Sequence, residues 1–204
     1  KAVQPTARIV AGGTGPFGDF NPGDSRVQPA AFWRELLCVS QRRGKLGEEN
    51  ALAFESFPYV ALAKTYSVNA QVSESAATMT ALVTGVKTRA DLIGLDENGV
   101  PGDYASVERS RARTLVEEAE ARGLSTGIVT TTRITHATPA CFYAHHSDRY
   151  DEETVAAQLL DADVDLALGG GLTYFLPVEE NGARRDGRNL VEEARERVEK
   201  LLGD

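Results

Sequence analysis

The sequence predicts an α/β protein in which a mostly parallel sheet is flanked by helices. Short apolar, β-branched segments alternate with longer amphipathic segments from Gly44 toward the C-terminus. Strands that alternate with helices form βαβ units, whose crossover helices cover the faces of a parallel sheet. The balance of 42% hydrophobic and 25% charged residues is typical of a folded globular chain.

The N-terminal segment differs in charge and composition from the rest of the chain. Residues 1–44 contain six basic and three acidic residues, a net charge of +3, whereas residues 45–204 contain 16 basic and 27 acidic residues, a net charge of −11. Half of the eight prolines fall in residues 1–29, together with several glycines, which favours a loop or poorly ordered chain there. Residues 30–39 predict one short helix. We therefore leave residues 1–44 unassigned and place the α/β domain at residues 45–204.

Hydrophobic periodicity predicts the individual elements of this domain. Residues 126–132 have the β-branched, apolar composition of a buried parallel strand. Residues 106–122 predict a long amphipathic helix with Leu115 on its inward face. The complete set comprises strands at 59–66, 126–132 and 164–168, and helices at 75–83 (ended by Gly85), 106–122, 154–160 and 189–202.

Charge, hydropathy and cysteine content exclude several classes of protein. No apolar run approaches the 18 residues of a membrane span, and the net charge of −8 argues against a general nucleic-acid binder. Residues 1–5 lack the apolar core of a signal peptide. The two cysteines, Cys38 and Cys141, allow either one disulfide or two buried thiols.

Ser75 is the first candidate for chemistry, because it begins a predicted helix. Backbone N–H groups and the macrodipole at a helix N-terminus favour negative charge, which suits a serine that becomes an alkoxide or carries a phosphoryl group. The commoner alternative is a serine that caps the helix. The neighbours Ser73 and Ala77 stand where a GxSxG hydrolase would have glycines.

The loop that follows strand 126–132 contains the next candidates. His136 and Thr138 offer a nitrogen and an oxygen to a metal ion, although a hydroxyl is a weak ligand and a loop histidine with a threonine cap is the plainer interpretation. Arg149 suits bidentate contact with phosphate, but it also has carboxylates nearby with which to pair. The glycines at 169–171 lack the Lys-Ser/Thr of a phosphate-binding loop, so a turn is favoured.

These segments together resemble the alkaline phosphatase family. Residues 74–88 (ESAATMTALVTGVKT) are similar to its nucleophile-helix signature, and residues 130–145 (TTTRITHATPACFYAH) to its magnesium-site segment. Arg149 falls at the phosphate-clamping arginine, and residues 163–171 match a strand and glycine turn. The resemblance extends from about Gly44 to about Arg195 and implies a three-layer sandwich.

The resemblance also implies roles for these residues. Ser75 would be the nucleophile that forms a phosphoserine intermediate, and Arg149 would hold two phosphate oxygens. Thr138 would bind Mg²⁺, with His136 close to it, and Zn²⁺ ions would activate the serine. Glu74 departs from the aspartate that usually orients the arginine.

Larger departures concern the metal ligands. The family's Asp-Gly-Met-Gly segment is absent, which makes Asp24 the candidate metal ligand that remains near the N-terminus. The later zinc ligands belong to a C-terminal half that we do not find in this sequence. We therefore expect the front portion of a larger enzyme.

Two hypotheses for function follow. The first is a phosphomonoesterase of the alkaline phosphatase type that acts through Ser75. The second is a catalytically weak or inactive fragment that at most binds phosphate. The expected partners are a phosphate monoester or inorganic phosphate, without nucleic acid or membrane. By resemblance, the chain would be periplasmic or secreted and would form a homodimer.

Overall fold

The computed structural model describes residues 8–9, 58–59 and 65–203. The chain divides into two compact units, one formed by Lys1–Gly13 and Thr65–Asp204 and the other by Thr14–Lys64. All the elements described below belong to the first unit. The helix predicted at 30–39, Asp24 and Cys38 lie outside the described residues, and the domain boundary at residue 44 stays a prediction.

The described residues of the first unit form a three-stranded parallel sheet, in the order β1-β3-β2. The strands are β1 (Arg8–Ile9), β2 (Gly127–Arg133) and β3 (Leu166–Gly170). Val129 of β2 pairs with Leu168 of β3, and the register shifts before Arg133 pairs with Gly170. Strands β2 and β3 confirm two of the predicted strands, but the expectation that residues 126–132 form a buried strand is wrong, since Ile128 is the one buried residue of β2 and Val129 is 71% exposed. The expectation of a loop is wrong at Arg8–Ile9, which pairs with Leu166 and Ala167.

Six α-helices are described in the first unit. Helix α1 confirms the helix predicted at 75–83 and ends at Gly85, whose φ of 72° is the left-handed conformation that glycine adopts at helix ends. The last two confirm the helices predicted near 154–160 and 189–202. The bounds are α1 Ser75–Thr84, α2 Val107–Ser110, α3 Leu115–Glu120, α4 Ala137–Ala140, α5 Glu152–Asp161 and α6 Leu190–Gly203.

Short 3₁₀ segments complete the described helical structure. One precedes α2 at Tyr104–Ser106, and two follow β3 at Leu172–Phe175 and Val178–Glu180. The strand predicted at 59–66 is not found at Tyr59, Thr65 or Tyr66, while residues 60–64 lie outside the described part.

The helix predicted at 106–122 is broken into α2 and α3. Arg111 has extended backbone angles (φ −56°, ψ 127°) and forms an isolated antiparallel bridge with Leu95. Thr114 then starts α3 with a capping box, in which its hydroxyl accepts from the Glu117 backbone N–H and the Glu117 carboxylate accepts from the Thr114 backbone N–H. Leu115 follows this cap and is 63% exposed, so its predicted inward position is wrong.

The hydrophobic core lies between the sheet and the helices around it. It contains Ile128 of β2, Val155 of α5 and Leu190 of α6. It also contains apolar residues of the segment between β2 and α5, which carries part of the candidate site. Cys141 is a free, fully buried thiol within this core. Burial raises its pKa to about 11, so the thiol stays protonated at neutral pH. Among the described residues, no helix is both long and apolar enough to cross a membrane.

Candidate active site

The N-terminus of α1 is organised by Glu74 and not by a serine cap. Ser75 is the first helical residue, and Glu74 before it is the N-cap. The two carboxylate oxygens of Glu74 accept from the backbone N–H groups of Ala76 and Ala77, each at 2.7 Å. The Asp91 backbone N–H also donates to Glu74 Oε1, at 3.2 Å. The Ser75 hydroxyl is therefore not needed to cap the helix, which removes the main alternative to a chemical role for it.

Arg149 lies beside this N-terminus, although it is 75 residues away in sequence. Its side chain is 9% exposed, and its Nη1 donates to Glu74 Oε2. Two backbone hydrogen bonds between Ile93 and His146 hold the preceding segment in place. The Arg149 backbone N–H also donates to the carbonyl oxygen of Asp91. The guanidinium group is thus paired with Glu74, the residue that precedes Ser75. The longer glutamate side chain makes this contact and caps α1 at the same time.

His136 faces the other side of Arg149. It is the N-cap of α4, with its Nδ1 3.4 Å from the Thr138 backbone nitrogen, and its Nε2 lies 3.4 Å from Arg149 Nη2. Burial lowers the pKa of His136, and the charges of Arg149 and Arg133 lower it further. The structure therefore brings Glu74, Arg149 and His136 together in one chain of contacts, with Thr138 at its end.

The pKa of His136 predicts a dependence of stability on pH. Because the folded protein disfavours the imidazolium form, the unfolded state binds the proton more readily and has a pKa of about 6.5. The free energy of unfolding is therefore expected to fall as the pH is lowered through about 6.5. Urea unfolding of the wild type and of His136→Asn at several pH values measures this; an equal pH dependence in both proteins would contradict it.

An ion pair with a buried acid supports the loop that carries His136. Arg133 at the end of β2 makes two bonds to Glu152, at 2.9 and 2.8 Å, and the Thr135 hydroxyl donates to the same carboxylate at 2.5 Å. Glu152 is 7% exposed. Gly171, with a φ of +92°, lies so close to Arg133 that an added Cβ would be 3.0 Å from the Arg133 Cβ. Sequence reasoning did not select Arg133 or Glu152 as site residues.

The described residues do not complete a metal site by themselves. No group of three His, Cys, Asp or Glu side chains that could hold a metal is found within 65–203. Both ring nitrogens of His136 already face other groups, which leaves the Thr138 hydroxyl as a weak donor there. Asp24, the third implied ligand, lies outside the described residues. We therefore derive no reaction step through a metal.

The fold and the site define an α/β protein with a serine at a helix N-terminus and a buried arginine that pairs with the residue before the serine. Residues 29–204 match the alkaline phosphatase family, which reaches further toward the N-terminus than the resemblance from Gly44. The chain belongs to the alkaline phosphatase family, and that family implies metal cofactors.

Individual relatives agree with this assignment. The chain is 37% identical over 198 residues to the alkaline phosphatase of Gadus morhua, covering 84% of this chain and 41% of that protein. It is 40% identical over 200 residues to a membrane-bound alkaline phosphatase of Bombyx mori, covering 84% of this chain and 36% of that protein. The chain thus spans less than half the length of these relatives.

Solved structures show the same similarity in three dimensions. The alkaline phosphatase of the Antarctic bacterium TAB5 matches with a TM-score of 0.61 and 30% identity, covering 77% of this chain and 40% of that one. The Thermus thermophilus enzyme matches with a TM-score of 0.63 and 30% identity, covering 81% of this chain and 32% of that one. These matches confirm the α/β fold class. A histidine-to-aspartate mutant of the TAB5 enzyme is described with Mg bound in its M3 site.

Proposed function

We propose that the chain contributes the nucleophile and the phosphate clamp of a phosphate monoester hydrolase. The observation that carries the proposal is the contact between Arg149 and Glu74, which holds a buried guanidinium at the residue that precedes Ser75. A guanidinium group has five N–H donors, so one ion pair leaves others for phosphate oxygens. Family membership supports the same chemistry.

The proposed reaction has two steps at phosphorus. The Ser75 oxygen attacks the phosphorus of the monoester, and the bond between phosphorus and the alcohol oxygen breaks. Ser75 loses its hydroxyl proton, and the leaving alcohol takes up one proton. Water then attacks the phosphoserine and releases inorganic phosphate, which regenerates the hydroxyl. Arg149 offers donors to the oxygens that carry charge in both steps, and Glu74 keeps its guanidinium in place.

The proposal includes metal ions as cofactors. The described residues do not complete a site for them. We propose Mg²⁺ near Thr138 and His136, with Asp24 as a further ligand, and Zn²⁺ with ligands that this sequence mostly lacks. A TAB5 variant in which aspartate replaces a histidine has Mg bound in its M3 site, so a solved relative of this chain can hold this ion. Because a bound metal supplies several kcal/mol of transition-state stabilisation, we expect the chain alone to turn over weakly or not at all.

Covalent labelling tests the nucleophile even when turnover is weak. The full chain is mixed with p-nitrophenyl phosphate, Zn²⁺ and Mg²⁺ and quenched in acid, and peptides are analysed by mass spectrometry. We expect phosphate on Ser75, together with p-nitrophenol release that Ser75→Ala abolishes and the neighbouring control Ser73→Ala retains. Equal release of p-nitrophenol by the wild type and both variants, without phosphate on Ser75, would exclude Ser75 as the nucleophile.

The second candidate function is a phosphate-binding module without turnover. It is favoured by the incomplete metal site in the described part of the chain. Phosphate binding with no phosphoserine in the same experiment would support it. We further propose a secreted or periplasmic location and a homodimer, both on the basis of family membership alone.

A further inference from the structure

Asp91 has a backbone conformation that few side chains adopt, and it contacts the proposed phosphate clamp, Arg149. Its φ is 67°, in the left-handed region, and among the described residues Asn181 (φ 61°) is the only other residue besides glycine with a positive φ. Aspartate and asparagine tolerate this region better than other side chains, whereas a β-branched residue there is an outlier. Such conformations persist where the surrounding structure over-determines them, often at functional sites.

The backbone of Asp91 bonds to both members of the Arg149–Glu74 pair. Its N–H donates to Glu74 Oε1, and its carbonyl oxygen accepts from the Arg149 backbone N–H, each at 3.2 Å. Asp91 therefore joins the residue that precedes Ser75 to the residue that carries the guanidinium group.

The left-handed φ allows both bonds to form at once. Because φ is the rotation about the N–Cα bond, it sets the direction of the carbonyl group relative to the N–H of the same residue. A change of φ from 67° to the value of about −60° or lower that most residues adopt would turn one group relative to the other by about 120° or more. Both bonds could not then be kept unless the segments of Glu74 and Arg149 moved.

The residues on either side of Asp91 are fixed, which limits such movement. Before it, the Ala90 backbone N–H donates to Asn69 Oδ1 at 2.9 Å. After it, the Thr80 hydroxyl of α1 accepts from the Gly94 backbone N–H at 3.0 Å. The conformation of Asp91 is therefore passed on to the two residues that its backbone contacts.

The side chain of Asp91 does not favour this arrangement through its charge. Burial raises the pKa of its carboxyl group, the charge of Glu74 raises it further, and the charge of Arg149 lowers it by less than these together. The surroundings thus disfavour the carboxylate form. The backbone of Asp91, and not its charge, is the part that serves the site.

We propose that Asp91 is a positioning residue, whose left-handed backbone holds Glu74 and Arg149 in their paired orientation. Asp91 acts through these two residues and does not itself contact the substrate. The consequence for phosphate rests on the proposed function, whereas the orientation of the pair can be measured without phosphate.

Variants that differ in backbone preference but not in charge test the proposal. Asp91→Val and Asp91→Asn both remove the carboxylate, but valine disfavours a positive φ and asparagine accepts it. Asn181→Val is the matched control, because it introduces the same strain after the 3₁₀ segment Val178–Glu180, where the Asn181 backbone N–H donates to Val178. Asp91→Ala imposes a smaller strain and replaces Asp91→Val if circular dichroism shows that the valine variant does not fold.

Nitrogen NMR of the arginine side chains measures the pair without phosphate. The full chain is labelled with ¹⁵N in arginine, and Arg149→Lys assigns the signals. We expect separate Nη1 and Nη2 signals for Arg149, because its contact with Glu74 hinders rotation of the guanidinium group. Asp91→Asn and Asn181→Val should keep these signals separate, and Asp91→Val should merge them. Separate signals in Asp91→Val, or merged signals in the wild type or in Asp91→Asn, would overturn the proposal.

Isothermal titration calorimetry with inorganic phosphate measures the consequence for the clamp. We expect Asp91→Val to bind phosphate at least about tenfold more weakly than Asp91→Asn, the factor for losing one charge-assisted hydrogen bond. Equal phosphate affinities of these two variants would overturn the role of Asp91 in the clamp. If the wild type binds no phosphate while the NMR difference between the variants persists, the proposed function is wrong and the positioning of the pair by Asp91 is supported.

Discussion

Replacing Glu152 by alanine is expected to lower the free energy of unfolding by about 3 kcal/mol, the lower end of the range for breaking a buried ion pair. The substitution leaves Arg133 without its two carboxylate contacts and the buried Thr135 hydroxyl without its acceptor. Arg133 keeps 32% of its side chain accessible, which lets water replace part of the loss. Urea unfolding of the full chain, followed by circular dichroism, measures the change.

Two matched variants make this result specific. Glu152→Gln keeps an oxygen acceptor and removes the charge, so an intermediate loss is expected. Glu192→Ala removes the acid of an exposed pair with Arg195, in which both side chains are more than half accessible, and should change stability by no more than about 1 kcal/mol. Similar losses for Glu152→Ala and Glu192→Ala would show that the buried pair contributes little.

The sequence predicted those elements whose local composition is distinctive. Strand β2 is β-branched, β3 contains a short apolar run, and α1 ends at a glycine that its sequence places there. Strand β1 could not be predicted, because two residues in a proline- and glycine-rich segment become a strand by pairing with Leu166 and Ala167 far along the chain. Such pairing depends on the fold and not on local propensity.

The broken helix at 106–122 shows a tertiary contact overriding periodicity. Arg111 leaves the helix to pair with Leu95, and this partner is not visible from the local pattern. One local signal for the break does exist, since Thr114 and Glu117 have the spacing of a capping box. That signal places a new helix start within the predicted helix and explains why Leu115 is exposed.

Part of the candidate site could likewise be predicted from the sequence, and part of it depended on the fold. Ser75, Arg149, His136 and Thr138 were first selected by their chemistry and their place at helix starts or in loops. Resemblance to family motifs then implied their roles and added Glu74. The contacts among Glu74, Arg149 and His136 required the fold, because 75 residues separate Glu74 from Arg149. Glu152 was missed because an acidic residue in the first turn of a helix is usually a solvated partner of the helix dipole.

Replacing Arg149 by alanine is expected to weaken the binding of inorganic phosphate by at least about 100-fold, because two charge-assisted hydrogen bonds of about 1.5–3 kcal/mol each are lost. Isothermal titration calorimetry at fixed ionic strength measures the affinity. The fold should persist, since the Glu74 carboxylate still accepts from three backbone N–H groups, those of Ala76, Ala77 and Asp91.

The affinity for inorganic phosphate should depend on the shape of the guanidinium group and not on its charge alone. Arg149→Lys keeps the positive charge beside Glu74 but loses the planar pair of donors, so an intermediate affinity is expected. Arg113→Ala removes an exposed arginine that pairs with Glu118 and should leave phosphate binding unchanged. Equal weakening by Arg113→Ala and Arg149→Ala would mean that phosphate responds to net charge, and the assignment of Arg149 as the phosphate clamp would then be wrong.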